Sequence, residues 1–407
     1  MSCTRPHGRR GLWYHRAEME RLIGQTRAVQ LLQTGLSSGK LHHAFIFHGP
    51  PGVGKCTCAL ELGRLLLCHQ RQTDLAGQLT ACGSCESCRL LRDSDPEGRV
   101  GNHPDLHVIR KEMAQTAQTA TLRTRKQLNI PVDLLRELMV GGTTSDGRYH
   151  EAAAYRTPAL RRGKVFIIDE AELLDPHGQN ALLKTLEEPT EGTYTILVTS
   201  AEHRLLVTIR SRCQRIAFVP LTEDEISQWA GRHLPESSGE QRAWTLAFAE
   251  GSPGRALTAS RYDLYAWARN VLPQLDQMPQ GRFPEDLGAT LAELIDEFAR
   301  AVVKEQPNAS KDAANRRGAA LMWRVLAQHA RGRIAELAGG AAGADPARLE
   351  PLVTPWLGLL EAVNEAEGEL AANVNLGLVA DHLVSRIWHG LGSAADEGAS
   401  AGRTRAR

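Results

Sequence analysis

The chain has 407 residues, with 48 basic and 47 acidic side chains and a formal net charge of +1. This length allows two or three domains with ample cores, and the charge balance excludes a protein that binds polyanions over its whole surface, so any DNA contact must be local or made within an assembly. No apolar run approaches the ~20 residues that span a bilayer, and the N-terminal residues lack the apolar segment of a secretory signal, so we expect a cytoplasmic protein. In that compartment the eight cysteines are expected to be metal ligands or buried thiols, not disulfides.

Strand and helix patterns alternate over the first half of the chain. Residues 1–18 are basic and irregular and are predicted to be a flexible lead-in, after which an amphipathic helix opens at 21–25 and ends near Gly35. Strand patterns are predicted at 44–47, 106–109, 165–168, 194–198 and 215–219. Two insertions, 113–126 and 141–162, are polar or contain glycine and are predicted to be surface loops. The alternation favours an α/β domain over about 19–220, with a parallel sheet covered on both faces.

The pattern becomes all-helical after this domain. Thr222-Glu223-Asp224-Glu225 matches a capping box, which predicts a new helix and a domain boundary near Pro220. Residues 221–262 are predicted to form a small helical segment, and 263–392 carry Ala and Leu at helical spacing, which predicts a helix bundle. Within the bundle Ala338–Asp345 is predicted to be a loop, and 393–407 lack a core-forming pattern and are predicted to be a disordered tail.

A phosphate-binding loop is predicted between the first strand and the helix that follows it. The segment Gly49-Pro50-Pro51-Gly52-Val53-Gly54-Lys55-Cys56 fits G-x-x-x-x-G-K-[ST] at every position except the last. A strand before the loop and a helix after it aim backbone N–H groups and the positive end of a helix dipole at phosphate. The alternative is a glycine-rich turn without a ligand, which this order of elements disfavours.

Position 56 departs from the phosphate-loop pattern. The Ser or Thr hydroxyl normally found there is a Mg²⁺ ligand, and a thiol is a soft ligand that a hard cation accepts poorly. Thr57 is no simple replacement, because one residue along a helix turns the side chain by about 100°. Backbone amides and Lys55 are still expected to bind the phosphates of ATP, so the sequence supports nucleotide binding more strongly than hydrolysis.

Two acids follow the buried strand pattern at 165–168. Asp169 is predicted to hold Mg²⁺ through its water shell and Glu170 to polarise the attacking water, as in a Walker B site. An Asp-Glu pair after a strand is common by itself. The nucleotide-site interpretation depends on its position on a later strand of the sheet that carries the phosphate loop.

Four cysteines lie between the phosphate-loop helix and the next predicted strand: Cys68 and, after thirteen residues, Cys82, Cys85 and Cys88. Overlapping C-x-x-C units with a fourth cysteine at a helix end predict a tetrahedral Zn²⁺ site with Zn–S distances of about 2.3 Å. Four thiolates leave no open position, so the metal would be structural. Four free surface thiols are the alternative, and a DNA-reading zinc ribbon would need a second paired knuckle that the sequence lacks.

Ser211-Arg212-Cys213 lies just before the last predicted strand. An arginine at this edge of a nucleotide domain is well placed to reach the γ-phosphate held by a neighbouring protomer, which is the arginine-finger role. The tripeptide alone leaves the alternative of an ordinary surface arginine open.

Taken together, these motifs resemble the bacterial clamp-loader family of AAA+ proteins over about residues 20–260. Eight segments match its pattern in chain order: 21–25, 42–45, 49–55, the four cysteines, 103–105, 169–170, 180–189 and 211–213. The resemblance implies an AAA+ P-loop domain with a zinc module at 68–88, a helical lid at 221–262 and a C-terminal helical collar at 263–392. It also implies assembly with gamma/tau and delta subunits into a hetero-pentamer that opens a sliding clamp and places it on primed DNA.

The lid segment Gly251-Ser252-Pro253-Gly254-Arg255-Ala256-Leu257 distinguishes two branches of this family. The resemblance implies a sensor arginine at the fourth position of a gamma/tau-type motor ATPase, where this chain has Gly254, while Arg255 faces another side of the helix. Together with Cys56, this favours a stator-like subunit with weak or no ATPase over the motor alternative. The first sensor position would fall to Thr199 or Ser200. A stand-alone zinc protein that binds nucleic acid is a third alternative, which leaves the acids after the strand and Arg212 unexplained.

Overall fold

The computed structural model describes residues 22–74, 77–92, 103–123, 129–234, 237, 239–305, 309–340, 346–372 and 374–404. The predicted lead-in at 1–18 therefore lies outside the described residues. The strands are β1 Ala44–His48, β2 Gln72–Thr73, β3 Leu79–Thr80, β4 Leu106–Ile109, β5 Gly142–Thr143, β6 Tyr149–His150, β7 Lys164–Ile168, β8 Thr193–Thr199 and β9 Gln214–Ala217. The α-helices are α1 Thr26–Ser37, α2 Lys55–Leu67, α3 Glu86–Arg92, α4 Ala120–Arg123, α5 Val132–Leu135, α6 Pro176–Glu187, α7 Val207–Arg210, α8 Glu223–His233, α9 Gly239–Ala249, α10 Pro253–Arg261, α11 Leu264–Gln277, α12 Leu287–Glu305, α13 Lys311–Gly340, α14 Pro346–Ala371 and α15 Leu376–Thr404.

The described residues fall into two compact units. The first lies within residues 1–235 and 250–255, and the second within 236–249 and 256–407. The predicted lid at 221–262 thus contributes residues to both units, and a separate lid domain stays a prediction. None of the described helices combines the length and the apolar composition needed to cross a membrane.

Five strands form one parallel sheet in the first unit, in the order β4-β7-β8-β1-β9. Parallel neighbours require crossover connections, which bring helices onto both faces of the sheet. This explains why β1, β7 and β8 are almost wholly buried runs. Each predicted strand is present within two residues of its predicted ends. The predicted fold class is confirmed: a parallel α/β domain is followed by an all-helical C-terminal region.

Alternating side chains of β1 enter two separate cores, because successive residues of a strand point to opposite faces. Phe45 and Phe47 pack in one core with side chains of α1 and α2, including Leu62. Ala44 and Ile46 pack in the other core, to which α6 contributes. The phosphate loop therefore leaves a strand that is held from both sides.

The prediction that 113–126 and 141–162 are surface loops holds for most residues of 141–162, which are exposed or half-buried, but it is wrong where the two insertions pack on the sheet. They place side chains in the second core of the sheet, and the buried residues they contribute are Ala114, Ala117, Leu122 and Ala154. The buried carboxylate of Asp105 also accepts hydrogen bonds from the N–H groups of Ala159 and Leu160, both at 2.8 Å. The prediction failed because a few small apolar residues within polar sequence give no periodic pattern. Residues 124–126 lie outside the described part of the chain.

Helix α1 begins later than predicted, at Thr26 instead of 21–25. Gly24 has a φ of +74°, which a right-handed helix does not allow. The buried side chain of Gln25 instead ties the chain to two other segments. Its Nε2 donates to the carbonyl of Val53 at 3.2 Å and to that of Val219 at 2.7 Å.

The second unit is built around a bundle of α11 to α15 with one hydrophobic core that includes Trp323 and Trp356. Two details differ from the predictions. Helix α13 extends to Gly340, so it includes the first part of the predicted loop at 338–345, and 341–345 lie outside the described residues. Helix α15 continues to Thr404, so a disordered tail beginning at 393 is wrong. The extension of α15 is rich in alanine, which has the highest helix propensity. Alanine can therefore continue a helix where the sequence shows no apolar periodicity.

Candidate functional site

The phosphate loop connects β1 to the first turn of α2, as the order of motifs predicts. Lys55 opens α2 and is only 5% exposed, and its Nζ donates to the carbonyls of Gly49 at 2.7 Å and Pro50 at 2.6 Å. Burial lowers the pKa of Lys55 to about 8, although the carboxylates of Glu172 and Asp169 act in the opposite direction. The N–H groups of the first turn of α2 have no partners within the helix, so loop and lysine together offer donors to phosphate.

Cys56 lies where a P-loop protein carries its Mg²⁺-binding hydroxyl. Burial, assisted by the Asp169 carboxylate, raises the pKa of the thiol to about 12, so the group is protonated at neutral pH. Thr57 is exposed, as expected for the next position on a helix. A protonated thiol is a poor ligand for a hard cation.

Arg110 joins the two positions predicted to hold Mg²⁺. Its Nη2 lies 3.4 Å from the sulfur of Cys56, and its Nε lies 3.2 Å from Oδ2 of Asp169. A cationic guanidinium thus lies between the acid and the thiol. These residues do not fit the usual Mg²⁺ site of a P-loop protein, because one ligand is a thiol and the other is already paired with a cation.

Glu170, the predicted water-polarising acid, is paired in the same way. Nζ of Lys111 donates to Oε2 of Glu170 at 2.6 Å. Both pairs follow from the sheet order: Ile109 of β4 is the register partner of Ile168 of β7, so the residues after each strand lie side by side. Sequence reasoning missed Arg110 and Lys111. An Arg-Lys pair directly after one strand pattern and an Asp-Glu pair after another were visible, but their adjacency was not.

The end of β8 supplies a polar side chain to the phosphate loop. Lys55 donates to Oγ of Ser200 at 3.2 Å. The hydroxyl of Thr199 instead accepts the N–H of Ala201 at 3.1 Å and is buried. Of the two sensor candidates, Ser200 is therefore the one that contacts the lysine. Sequence reasoning also missed Glu172, which accepts the N–H of Ser200 at 3.1 Å and lies near Lys55.

The start of α10 packs directly on the phosphate loop. Oγ of Ser252 donates to the carbonyl of Pro51 at 3.0 Å, and the N–H of Gly254 donates to that of Gly52 at 2.9 Å. A Cβ added to Gly254 would lie 2.7 Å from the Cα of Gly52. This arrangement leaves no room for a side chain at position 254. It therefore requires glycine where the resemblance implies a sensor arginine in a motor subunit. Arg255 forms an ion pair with Glu250 at 3.0 Å.

The four cysteines of the predicted zinc module come together. The sulfur atoms of Cys68, Cys82, Cys85 and Cys88 all lie within 4.8 Å of one another. The Cys68–Cys82 and Cys82–Cys88 sulfur distances are 3.6 and 4.0 Å. Four sulfurs at tetrahedral corners around zinc would be about 3.8 Å apart. The donor set and its spacing therefore fit a structural Zn²⁺.

Backbone N–H groups favour the thiolate form of Cys82, whereas burial raises the pKa of Cys68 and of Cys88. The N–H of Cys82 points at the sulfur of Cys68, and that of Cys85 points at the sulfur of Cys82, both at 3.3 Å. Burial acts to raise the pKa of Cys82, but hydrogen bonds from the backbone of Ser84 and Cys85 outweigh it and bring the pKa to about 6. Thiolate is the form that binds zinc.

Arg212 lies at the surface after α7. Its Nη2 is 2.7 Å from Oε1 of Glu187, at the end of α6, and its Nη1 donates to the carbonyl of Thr208 at 2.9 Å. The side chain is 36% exposed. These contacts hold the guanidinium against α6 and α7, and a role in another subunit stays a prediction.

Comparisons with known proteins identify the family to which this chain belongs. The family described as "DNA polymerase III, delta subunit" matches residues 24–222. "DNA polymerase III subunit delta'" of Escherichia coli (strain K12) is 30% identical over 382 residues, which cover 93% of this chain and 96% of the relative. "DNA polymerase III subunit tau/gamma" of Haemophilus influenzae is 35% identical over 217 residues, which cover 53% of this chain and 26% of the relative.

Among solved structures, a DNA polymerase III gamma subunit-related protein from Thermotoga maritima aligns with a TM-score of 0.42 and 15% identity, over 89% of this chain and 99% of that chain. The tau/gamma match covers about a quarter of that relative, whereas the delta-prime match spans nearly all of both chains. The predicted resemblance is confirmed, and the match to a delta-prime subunit over nearly the whole chain favours the delta-prime branch over the tau/gamma branch. The chain belongs to the delta-prime family of DNA polymerase III subunits.

Proposed function

We propose that the protein acts as the delta-prime subunit of a clamp loader. In this role it joins gamma/tau and delta subunits in a hetero-pentamer that opens a sliding clamp and places it on primed DNA. The chain itself binds nucleotide at Gly49–Lys55 but turns it over weakly or not at all. Zn²⁺ held by Cys68, Cys82, Cys85 and Cys88 stabilises its first unit.

One observation carries the non-motor part of this proposal. Both acids after β7 are paired with basic side chains from the end of β4, Asp169 with Arg110 and Glu170 with Lys111. An ATPase needs the first acid for its metal and the second for its water. With Cys56 in the metal-binding position as well, the site retains its phosphate donors while its hydrolytic side chains are engaged elsewhere.

The test combines assembly with turnover. The full chain is mixed with purified gamma/tau and delta subunits from the same organism, and the mass of the product is measured by gel filtration with light scattering. A hetero-pentamer that requires this chain, together with an ATPase rate of the isolated chain well below ~1 s⁻¹, supports the proposal. A rate at or above ~1 s⁻¹ without partners would identify a motor subunit instead. Tight DNA binding by the isolated chain, without assembly, would indicate a zinc protein that binds nucleic acid.

A further inference from the structure

A carboxylate lies beside the lysine of the phosphate loop. Glu172 belongs to the short turn Ala171–Leu173 after β7, and its Oε1 accepts the N–H of Ser200 at 3.1 Å. Oγ of Ser200 in turn accepts a hydrogen bond from Nζ of Lys55 at 3.2 Å, so Ser200 connects the acid to the lysine. After burial, which lowers the pKa of Lys55, the Glu172 carboxylate has the largest effect on that pKa, ahead of Asp169.

The charge of this carboxylate is only partly compensated. Oε2 of Glu172 is buried and accepts no hydrogen bond from the part of the chain that the structure describes. Asp169 and Glu170, which precede it after β7, are both paired with basic side chains. A buried carboxylate oxygen without a donor is costly, which indicates a role beyond local packing.

The phosphates of a nucleotide approach this carboxylate in order. In a P-loop protein the backbone amides of the loop hold the α- and β-phosphates, and the lysine reaches the β- and γ-phosphates. A diphosphate therefore ends within reach of the loop and Lys55. A third phosphate extends past the lysine toward the ends of the neighbouring strands, which is where Ser200 and Glu172 lie.

A third phosphate would also lack the compensation that it has in a P-loop ATPase. There Mg²⁺ neutralises charge on the β- and γ-phosphates, but Cys56 offers the metal a protonated thiol. The N–H of Ser200, a donor at the end of β8, is already taken by Glu172. Arg255 acts on the lysine more weakly than Glu172 does and is paired with Glu250. Like charges brought together in a partly buried site repel each other strongly.

We propose that Glu172 makes this site select a nucleoside diphosphate over the corresponding triphosphate. The inference rests on the proposed nucleotide binding at Gly49–Lys55 and adds the class of ligand and the residue that selects it. The competing explanation is a structural role, in which Glu172 only joins the ends of β7 and β8 through Ser200. A structural role leaves the ratio of the ADP and ATP affinities unchanged.

The test is binding of ADP and of ATP to the full chain by calorimetry, both in excess Mg²⁺. The dissociation constant for ADP is expected to be at least ~tenfold lower than that for ATP. A smaller preference, or a preference for ATP, overturns the inference and leaves the proposed nucleotide site intact. No binding of either nucleotide overturns both.

One substitution removes the charge and keeps the shape of the side chain. In Glu172→Gln the amide oxygen can still accept the N–H of Ser200. ATP should therefore bind roughly tenfold tighter than to the wild type, whereas the dissociation constant for ADP should change by less than about threefold. Glu151→Gln neutralises an exposed glutamate paired with Arg156 and is the matched control, with both affinities unchanged. Equal changes for ADP and ATP in Glu172→Gln would identify a structural role instead.

An ATP analogue separates charge from length and needs no variant, so it serves if Glu172→Gln does not fold. The γ-methyl ester of ATP has the same number of phosphates as ATP but one negative charge fewer. If Glu172 acts through its charge, the wild-type chain should bind the ester at least ~threefold tighter than ATP. Weaker or equal binding of the ester would mean that space, not charge, limits the third phosphate, and would contradict the role of Glu172.

Discussion

At the scale of single residues, the site depends on a buried lysine whose only described partners are polar groups of the loop and of Ser200. Lys55 donates to two loop carbonyls and to one hydroxyl, and none of these is an anion. Its charge is therefore incompletely compensated, and burial lowers its pKa to about 8. A bound phosphate supplies the missing negative charge and favours the protonated form.

This gives a pH dependence of nucleotide binding with a definite sign. Below the pKa of about 8 Lys55 is already charged, so the dissociation constant for ATP should not change with Lys55 titration. Above it, binding must first protonate the lysine, and the dissociation constant should rise by up to about tenfold per pH unit. Calorimetric titrations on both sides of the pKa measure this, with Lys55→Arg as the control that stays charged and gives a flat profile. A wild-type profile as flat as that of the arginine variant would contradict the expectation.

Gly254 gives a second prediction at this scale, because α10 approaches the phosphate loop at its position. Gly254→Ala places a Cβ 2.7 Å from the Cα of Gly52, so the loop or the helix must move. We expect a loss of roughly 1–3 kcal/mol in the free energy of unfolding, which lowers the thermal midpoint of the first unit by several degrees. Differential scanning calorimetry of the full chain measures the shift.

The matched control is another helical glycine with free space around it. Nothing lies within 4 Å of a Cβ built on Gly231 in α8, so Gly231→Ala should raise stability by up to about 1 kcal/mol through helix propensity. The two alanine substitutions should thus shift the midpoint in opposite directions. Shifts of the same sign would mean that the contact between α10 and the loop does not constrain position 254.

At the scale of elements, the order of the strands in the sheet decides what the site can do. β4 and β7 are distant in sequence but adjacent in space, and this adjacency brings Arg110 and Lys111 to Asp169 and Glu170. The strands themselves were predictable, because strands buried on both faces are continuous apolar runs. Their spatial order was not, since a local pattern carries no information about which strand lies beside which. The phosphate loop and the cysteine cluster were predictable because each is a short segment with fixed spacing.

The zinc module shows how a short insertion is stabilised. Between Cys68 and Cys82 the described residues form the two-residue strands β2 and β3, which are exposed or half-buried. The side chain of Gln33 on α1 makes two hydrogen bonds of 2.9 Å to the backbone of Leu79 on β3. The hairpin is thus held by α1 on one side and by the cysteine cluster at its ends, so its order should depend on the metal.

Removal of one ligand should therefore release zinc and lower stability. Elemental analysis should find one zinc per chain in protein purified without chelator, and well under one in Cys85→Ser. A ligand present at a thousand times its dissociation constant stabilises by ~4 kcal/mol, which corresponds to roughly 10 °C in the thermal midpoint of a domain this size. Cys213→Ser, which changes a cysteine outside the cluster, is the control and should keep its zinc. Wild-type protein with far less than one zinc would rule the site out.

At the scale of the whole molecule, the hydrolytic side chains of the nucleotide site are already engaged, whereas Arg212 lies at the surface. The chain's own site has its acids paired and a thiol in the metal position, whereas Arg212 is partly exposed and forms an ion pair with Glu187. An exposed ion pair contributes little, about 0–1 kcal/mol, to stability. A guanidinium in such a pair exchanges its partner for a phosphate at low cost, so this edge is suited to serve a neighbouring subunit.

Two substitutions that break the same ion pair separate this role from a structural one. In the reconstituted loader, Arg212→Ala should lower the clamp- and DNA-stimulated ATPase by roughly a few-fold to tenfold, because one of several sites loses an arginine finger. Arg212→Lys should not restore the rate, since lysine lacks the planar fork. Glu187→Gln leaves the guanidinium in place and should keep the ATPase at or above the wild-type rate. If Glu187→Gln is as defective as Arg212→Ala, the ion pair matters only for local structure; if Arg212→Ala retains full activity in an intact assembly, Arg212 is an ordinary surface arginine.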